Sequence, residues 1–301
     1  MTASATPNPS LRSAPDLTYR PILWRNLANQ LLNGLAGLFC LLPLSPLFLV
    51  LLFVFQKGGS ILSLRLFLET PPVAGDTGGG IGSAIVGTIL LLIIASLIAI
   101  PVGVLAGTYL SEFSTNGSIA QAIRFGSAVL SGVPSIVLGV FVYGLVVITK
   151  FFFGATFSAL AGGLALAVLM LPTIITTTDE TLKLVPKELR LASLGLGASK
   201  MVTTFRVVLP AALSGIITGI SLAIARAAGE TAPLLFTALF TSFWPDSLLH
   251  PIGSMAVLIY KFATVPYATQ NDLAWAASFI LVMLVLLANV SARVAVGRLK
   301  R

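Results

Sequence analysis

Six stretches of this chain are long and apolar enough to cross a lipid bilayer as helices, and that restricts the fold before any motif is read. A bilayer core of roughly 30 Å needs about 20 apolar residues in a helix. Leu31–Phe55, Ile81–Leu110, Ile123–Ile148, Phe153–Ile175, Ala211–Leu239 and Trp275–Val296 each qualify. Lipid offers the backbone no hydrogen bonds, so a spanning segment of this kind satisfies its own as a helix. The expected fold class is therefore all-α, a polytopic transmembrane helical bundle of six spans. The chain is 56% hydrophobic and 9% charged, against about 25% charged in a soluble domain. So few charges cannot cover a soluble surface.

Several spans contain proline, at Pro43, Pro46, Pro101, Pro134 and Pro172. Buried membrane helices tolerate it, and kinks are expected. The Gly215-x-x-x-Gly219 pair allows two helices to approach closely. Residues 1–26 are polar and rich in Pro and Ser and read as a disordered cytoplasmic tail. The permease domain is expected over 27–301. The first apolar run starts too late and is too long for a cleavable signal peptide. With both termini inside, Arg12, Arg20, Arg25, Arg124, the basic residues of a long loop after the fourth span, Arg293, Arg298, Lys300 and Arg301 all fall on one side. Lys57, Arg65, Lys150 and Lys261 fall on the other. The positive-inside rule places the long loop and both termini in the cytoplasm.

Other classes lose support on composition. The net charge of +8 lies at the chain ends and in one loop, not as a stripe interleaved with aromatics, so nucleic acid is not indicated. Cys40 and His250 are single, which leaves no disulfide framework and no metal spacing. Gly195-x-Gly197-x-x-Lys200 lacks the spacing of a phosphate loop and follows no strand. No paired acid, His cluster or nucleophile–base couple is evident, so no intramembrane enzyme and no cofactor are expected. Two outside loops, Gln56–Gly80 and Phe240–Asp272, carry interface-type aromatics such as Trp244 and Tyr267.

The long loop, about 179–209, is the largest polar interruption. Thr177-Thr178-Asp179-Glu180 has the form of a capping box for the helix after it, with the two acids as first-turn charges. Pro186 opens a short helix from Lys187 to Leu196, which Gly195 and Gly197 stop. Leu189, Ala192 and Leu196 fall near one face, Lys187 and Arg190 on another. Ser199 can cap a last helix leading to Pro210. Such a helix fits a groove in another protein or lies on anionic lipid, and composition does not choose.

The fifth span reads GISLAIARAAGETAP over 219–233. Arg226 and Glu230 are the only ionisable residues well inside any span. An arginine at mid-membrane costs about 2.5–3.5 kcal/mol and cannot shed its charge. Glu230 lies one turn on, on the same face. A self-contained salt bridge is one reading. A polar site on a pathway is the other, because the guanidinium fork matches oxyanions, phosphate in particular.

Both segments resemble a known family. The loop is similar to the signature EAA-x3-G-x9-I-x-LP of ATP-binding-cassette importer permeases. Leu191, Ala192 and Ser193 stand at its first three positions, Gly197 at the glycine, Val207 at the isoleucine and Leu209-Pro210 at the end. Leu191 replaces the glutamate and Ser193 the second alanine. The segment 225–238, ARAAGETAPLLFTA, resembles the PstA-type permease subunits of phosphate importers. Gly132-Val133-Pro134-Ser135-Ile136 and Tyr109-Leu110-Ser111-Glu112-Phe113 agree. The resemblance implies a MetI-like permease fold and import of phosphate or, as the runner-up, of sulfate, molybdate or phosphonate. It implies a PstC-type permease partner, two PstB-type ATPase subunits that bind the ATP and Mg, and a PstS-type phosphate-binding protein outside. Pro186, Lys187, Arg190, Leu191, Ala192, Ser193 and Gly197 would dock the ATPase, and Arg226, Glu230 and Thr231 would line the substrate pathway. The alternative class is a stand-alone anion carrier or channel.

Overall fold

The computed structural model describes residues 23–299 apart from 115, 116, 152, 153 and 155. Of the expected tail over 1–26, residues 1–22, with Arg12 and Arg20, lie outside the described residues, as do the terminal Lys300 and Arg301, while residues 23–26 are not tail but the start of the first helix. The chain divides into two units between Leu52 and Phe53. The first holds most of α1, Leu23–Phe53, a continuous helix with Pro43 and Pro46 inside it. Its leucines and phenylalanines stand exposed almost all round, as suits a helix whose solvent is lipid.

The second unit begins with a π-helical turn, Val54–Gly58, and the short α2, Leu64–Leu68. Helix α3, Gly82–Thr108, continues through a π turn to Phe113. Then come α4, Ser118–Gly132, and α5, Ser135–Val142, which ends in a π turn to Ile148. Next are α6, Ala159–Lys183, and α7, Lys187–Gly195. Helix α8, Lys200–Thr203, leads through a π turn into α9, Leu209–Ala228. The chain ends with α10, Ala232–Thr237, α11, Met255–Ala263, and α12, Ala268–Leu299. No strand occurs among the described residues.

Small residues let α6 sit at the centre, between α3 and α9. A Cβ on Gly103 would come within 2.7 Å of Ile174, and one on Gly107 within 2.6 Å of Thr178. On the other side Gly215 faces Thr181 and Gly219 faces Thr177, so closely that no side chain fits. The Gly215/Gly219 pair thus serves packing within this chain, α9 on α6, as small-residue pairs do in membranes. Leu91, Ala95, Leu166, Met170, Ile174 and Ala227 are buried where the three helices meet.

Three expected spans are corrected. Five helices pass as single spans, and the sixth exists only if α4 and α5 count together across a bend of 111°. Ile123–Ile148 is therefore not one kinked helix. Pro134 lacks an N–H and pushes Val133 to an extended conformation at φ −78°, ψ 131°. The fourth helix begins at Ala159, with Ser158 capping Ala161 N, rather than at Phe153, whose placement lies outside the described residues. The fifth runs Lys200–Ala228: it starts inside the expected loop and stops well before Leu239. Ser199 accepts from Val202 N, as a cap should. The π turn Thr204–Val208 directly before Leu209-Pro210 gives the proline ring room against the preceding carbonyls.

Candidate functional site

Two regions converge on function: the α7 end of the bundle, and the break after α9.

At the α7 end, four helices meet through ion pairs. Glu112, in the π turn closing α3, accepts from Arg190 Nη2 at 2.7 Å and Nε at 3.2 Å. Arg190 also donates to the carbonyls of Leu182, in the last turn of α6, and of Val185, just beyond it. One turn back, Asp179 accepts from Arg124 of α4 and from Lys183, each at 2.7 Å. The Asp179 side chain is 6% exposed, so both cations serve to balance a buried charge. This corrects the reading of Thr177-Thr178-Asp179-Glu180 as a cap: α6 continues to Lys183, and Thr177 and Thr181 bond carbonyls four residues back.

Arg190 therefore faces the bundle. Ser193 does too, its hydroxyl 2.9 Å from Thr203 Oγ1. Pro186, Lys187, Leu191, Ala192 and Gly197 are exposed, with Gly197 at φ +84°, a conformation suited to glycine. Leu189, Leu194 and Leu196 are exposed as well. Helix α7 is thus an apolar ridge anchored from behind by Arg190 and Ser193. Proline and glycine spacing marks the helix. Its anchors, Glu112 above all, are signalled in the sequence only as lone acids at the ends of apolar runs.

At the other region α9 ends at Ala228, with Gly229 as its cap. Glu230 and Thr231 lie in a break before α10, not in mid-helix as the sequence suggested. Pro233 explains the restart, being well placed in a first turn. Gly139 of α5 lies against Pro233, where a Cβ would approach its Cα to 2.6 Å. Thr231 Oγ1 donates to the Ala256 carbonyl at 3.4 Å. The next-door Met255 N donates to Thr88 Oγ1, about 9 Å along α3 from Gly82. The break is thus held inside the bundle.

Arg226 Nε lies 3.7 Å from Glu230 Oε1. That is an ion pair, but too long for a hydrogen bond. The Arg226 side chain is 55% exposed and that of Glu230 16%. Among the described residues Arg226 has no other polar partner, so its terminal nitrogens are open to a ligand. Arg226, Leu222 and Thr218 are exposed at helical spacing, while Ala223 and Ala227 of the same helix are buried.

His250 bonds Asp246 through Nδ1 at 2.9 Å in an exposed loop, and this hydrogen bond lowers the Asp246 pKa below its ordinary value. No cluster of three or more potential metal ligands occurs among the described residues.

A helical membrane bundle with an exposed, anchored ridge at one end and an open cation beside a helix break has the form of a transporter's permease subunit. The chain belongs to the family of binding-protein-dependent transport system inner membrane components, whose model matches residues 99–301. It is 43% identical to "Phosphate transport system permease protein PstA" of Yersinia pestis, over 92% of each chain. It is 35% identical to "Probable phosphate transport system permease protein PstA" of Methanocaldococcus jannaschii, covering 87% of this chain and 91% of that protein. Among solved structures, a subunit of a bacterial alginate ABC transporter aligns with TM-score 0.64 at 13% identity, over 90% of this chain and 96% of that one. A subunit of the MetNI methionine ABC transporter aligns with TM-score 0.56 at 20% identity, over 73% and 94%. These structures share the fold, the MetI-like arrangement expected from the sequence. The chain is a multi-pass inner-membrane permease.

Proposed function

We propose that this chain is one membrane half of an ATP-driven phosphate importer. The observation that carries the reading is the open guanidinium of Arg226, held loosely by Glu230 at a break inside the bundle. A tight, neutralised pair would offer nothing to an anion, whereas this one can exchange Glu230 for a passing oxyanion. The named relatives support phosphate as that anion. The chain carries out no bond chemistry itself. Its partners are a PstC-type permease, two PstB-type ATPase subunits that hold ATP and Mg, and a PstS-type binding protein on the outer face. Both termini and α7 lie in the cytoplasm. The exposed ridge of α7 seats in the ATPase and passes its motion to α3 and α6 through Arg190 and its partners. In cells lacking the chain, uptake of radiolabelled phosphate should fall to background and return with the wild-type gene. Sulfate in excess should not compete. Sulfate-sensitive uptake would shift the substrate to another oxyanion, and undiminished uptake in the deleted strain would remove the reading.

A further inference from the structure

On the α7 side of the break, α9 and α12 diverge and leave an open groove of about 690 Å³. Its walls carry Ser214, Thr218, Ser221 and Leu222 from α9, and Asn289 and Arg293 from α12. Steps of four and three residues put the three hydroxyls in one line, which Ala225 continues to the turn that holds Arg226. Among the described residues the side chains of Ser214, Ser221, Asn289 and Arg293 have no polar partner.

Unpaired hydroxyl and amide groups at membrane depth are costly against hydrocarbon and are found where a cavity holds water. An acyl chain would need an unbroken apolar depth behind a charged mouth. Here Ile217, Leu222, Ala225, Leu286 and Val290 make much of the wall, but Ser214, Thr218, Ser221 and Asn289 interrupt it, over about 10 Å between Ser214 and Ser221. All the polar side chains can donate a hydrogen bond, and no carboxylate is among the lining residues. Such a wall suits an anion and disfavours a cation. We propose that this groove is the release track of the oxyanion, with Arg293 as an anion subsite at its cytoplasmic mouth and Ser221 and Asn289 as donors between it and Arg226. The inference rests on the reading of the chain as half of an anion pathway. An exposed arginine binds an anion weakly, which fits release rather than capture.

The test uses the assembled transporter in inside-out membrane vesicles with Cys40→Ser as background. Single cysteines are placed by Ser221→Cys and Thr218→Cys and treated with small water-soluble thiol reagents of opposite charge. The anionic reagent should modify both positions, and millimolar phosphate should slow it. Adding Arg293→Glu should slow the anionic reagent about tenfold and speed the cationic one, by local field alone. A distorted fold would change both rates in the same direction, and that result overturns the proposal. So does modification by a lipid-soluble maleimide only, which would make the groove a lipid site. Protection by sulfate but not phosphate would keep the track and reject phosphate as cargo. Loss of the charge effect while wild-type phosphate uptake persists would reject the track alone.

Discussion

At the scale of single residues, the described charges divide by how closely their partners are held. Asp179 is buried and holds two cations at 2.7 Å, and Arg190 spends its donors on Glu112 and two carbonyls. Among the described residues Arg226 is held only by a carboxylate 3.7 Å away. An ion pair so exposed contributes about 0–1 kcal/mol to stability, so structure gives no reason to keep it. A hydrogen bond from a charged donor to an anion is worth about 1.5–3 kcal/mol. Arg226→Gln should therefore cut phosphate uptake roughly ten- to hundredfold, while the complex still co-purifies. Arg226→Lys should retain part of the activity, because it keeps the charge and loses the fork. Transport by Arg226→Gln at the wild-type rate would remove the residue from the pathway.

At the scale of elements, α7 was legible because Pro186, Gly195 and Gly197 punctuate it and Ser199 caps α8 after it. Its orientation was not. Spacing put Lys187 and Arg190 on a common face, but only the tertiary position of Glu112, far away in sequence, turns Arg190 inward. The same limit applies at Pro134. Its ring forbids a regular helix, yet the sequence does not say whether the chain kinks or turns through 111°. The Arg226–Glu230 spacing correctly paired the two charges but missed that Gly229 ends the helix between them. In α7, Ala192→Trp puts a bulky ring on the exposed ridge, and should lower both ATPase co-purification and uptake several-fold. Unchanged values of both would place the ATPase contact elsewhere. On the inner side of the same helix, Arg190→Glu should uncouple transport from ATP hydrolysis, and Glu112→Arg in the same chain should restore part of it. If the exchange recovers nothing beyond the sum of the single changes, the two residues do not act as a pair.

At the scale of the whole molecule, the all-α class and five of the six spans were readable because lipid imposes length and apolarity on each span. Which faces they turn to one another was not, since nearly every face is apolar; small residues at Gly103, Gly107, Gly215 and Gly219 decide it by allowing contact. The face of α9 carrying Thr218, Leu222 and Arg226 is exposed beside its buried stripe. Within the second unit the groove beside it is open rather than roofed, with Arg293 exposed at one edge. Half of a channel wall conducts nothing selectively. On the proposed reading a single chain supplies one wall of the pathway and needs a second to close around an anion and exclude its competitors. The purified chain alone in liposomes should accordingly give no saturable phosphate flux. Reconstitution with a second permease, the ATPase pair and loaded binding protein should give flux that stops when ATP is withheld. Saturable, ATP-independent phosphate flux through the isolated chain would instead establish a stand-alone carrier, and would require the open face of α9 to be completed by a second copy of the same chain.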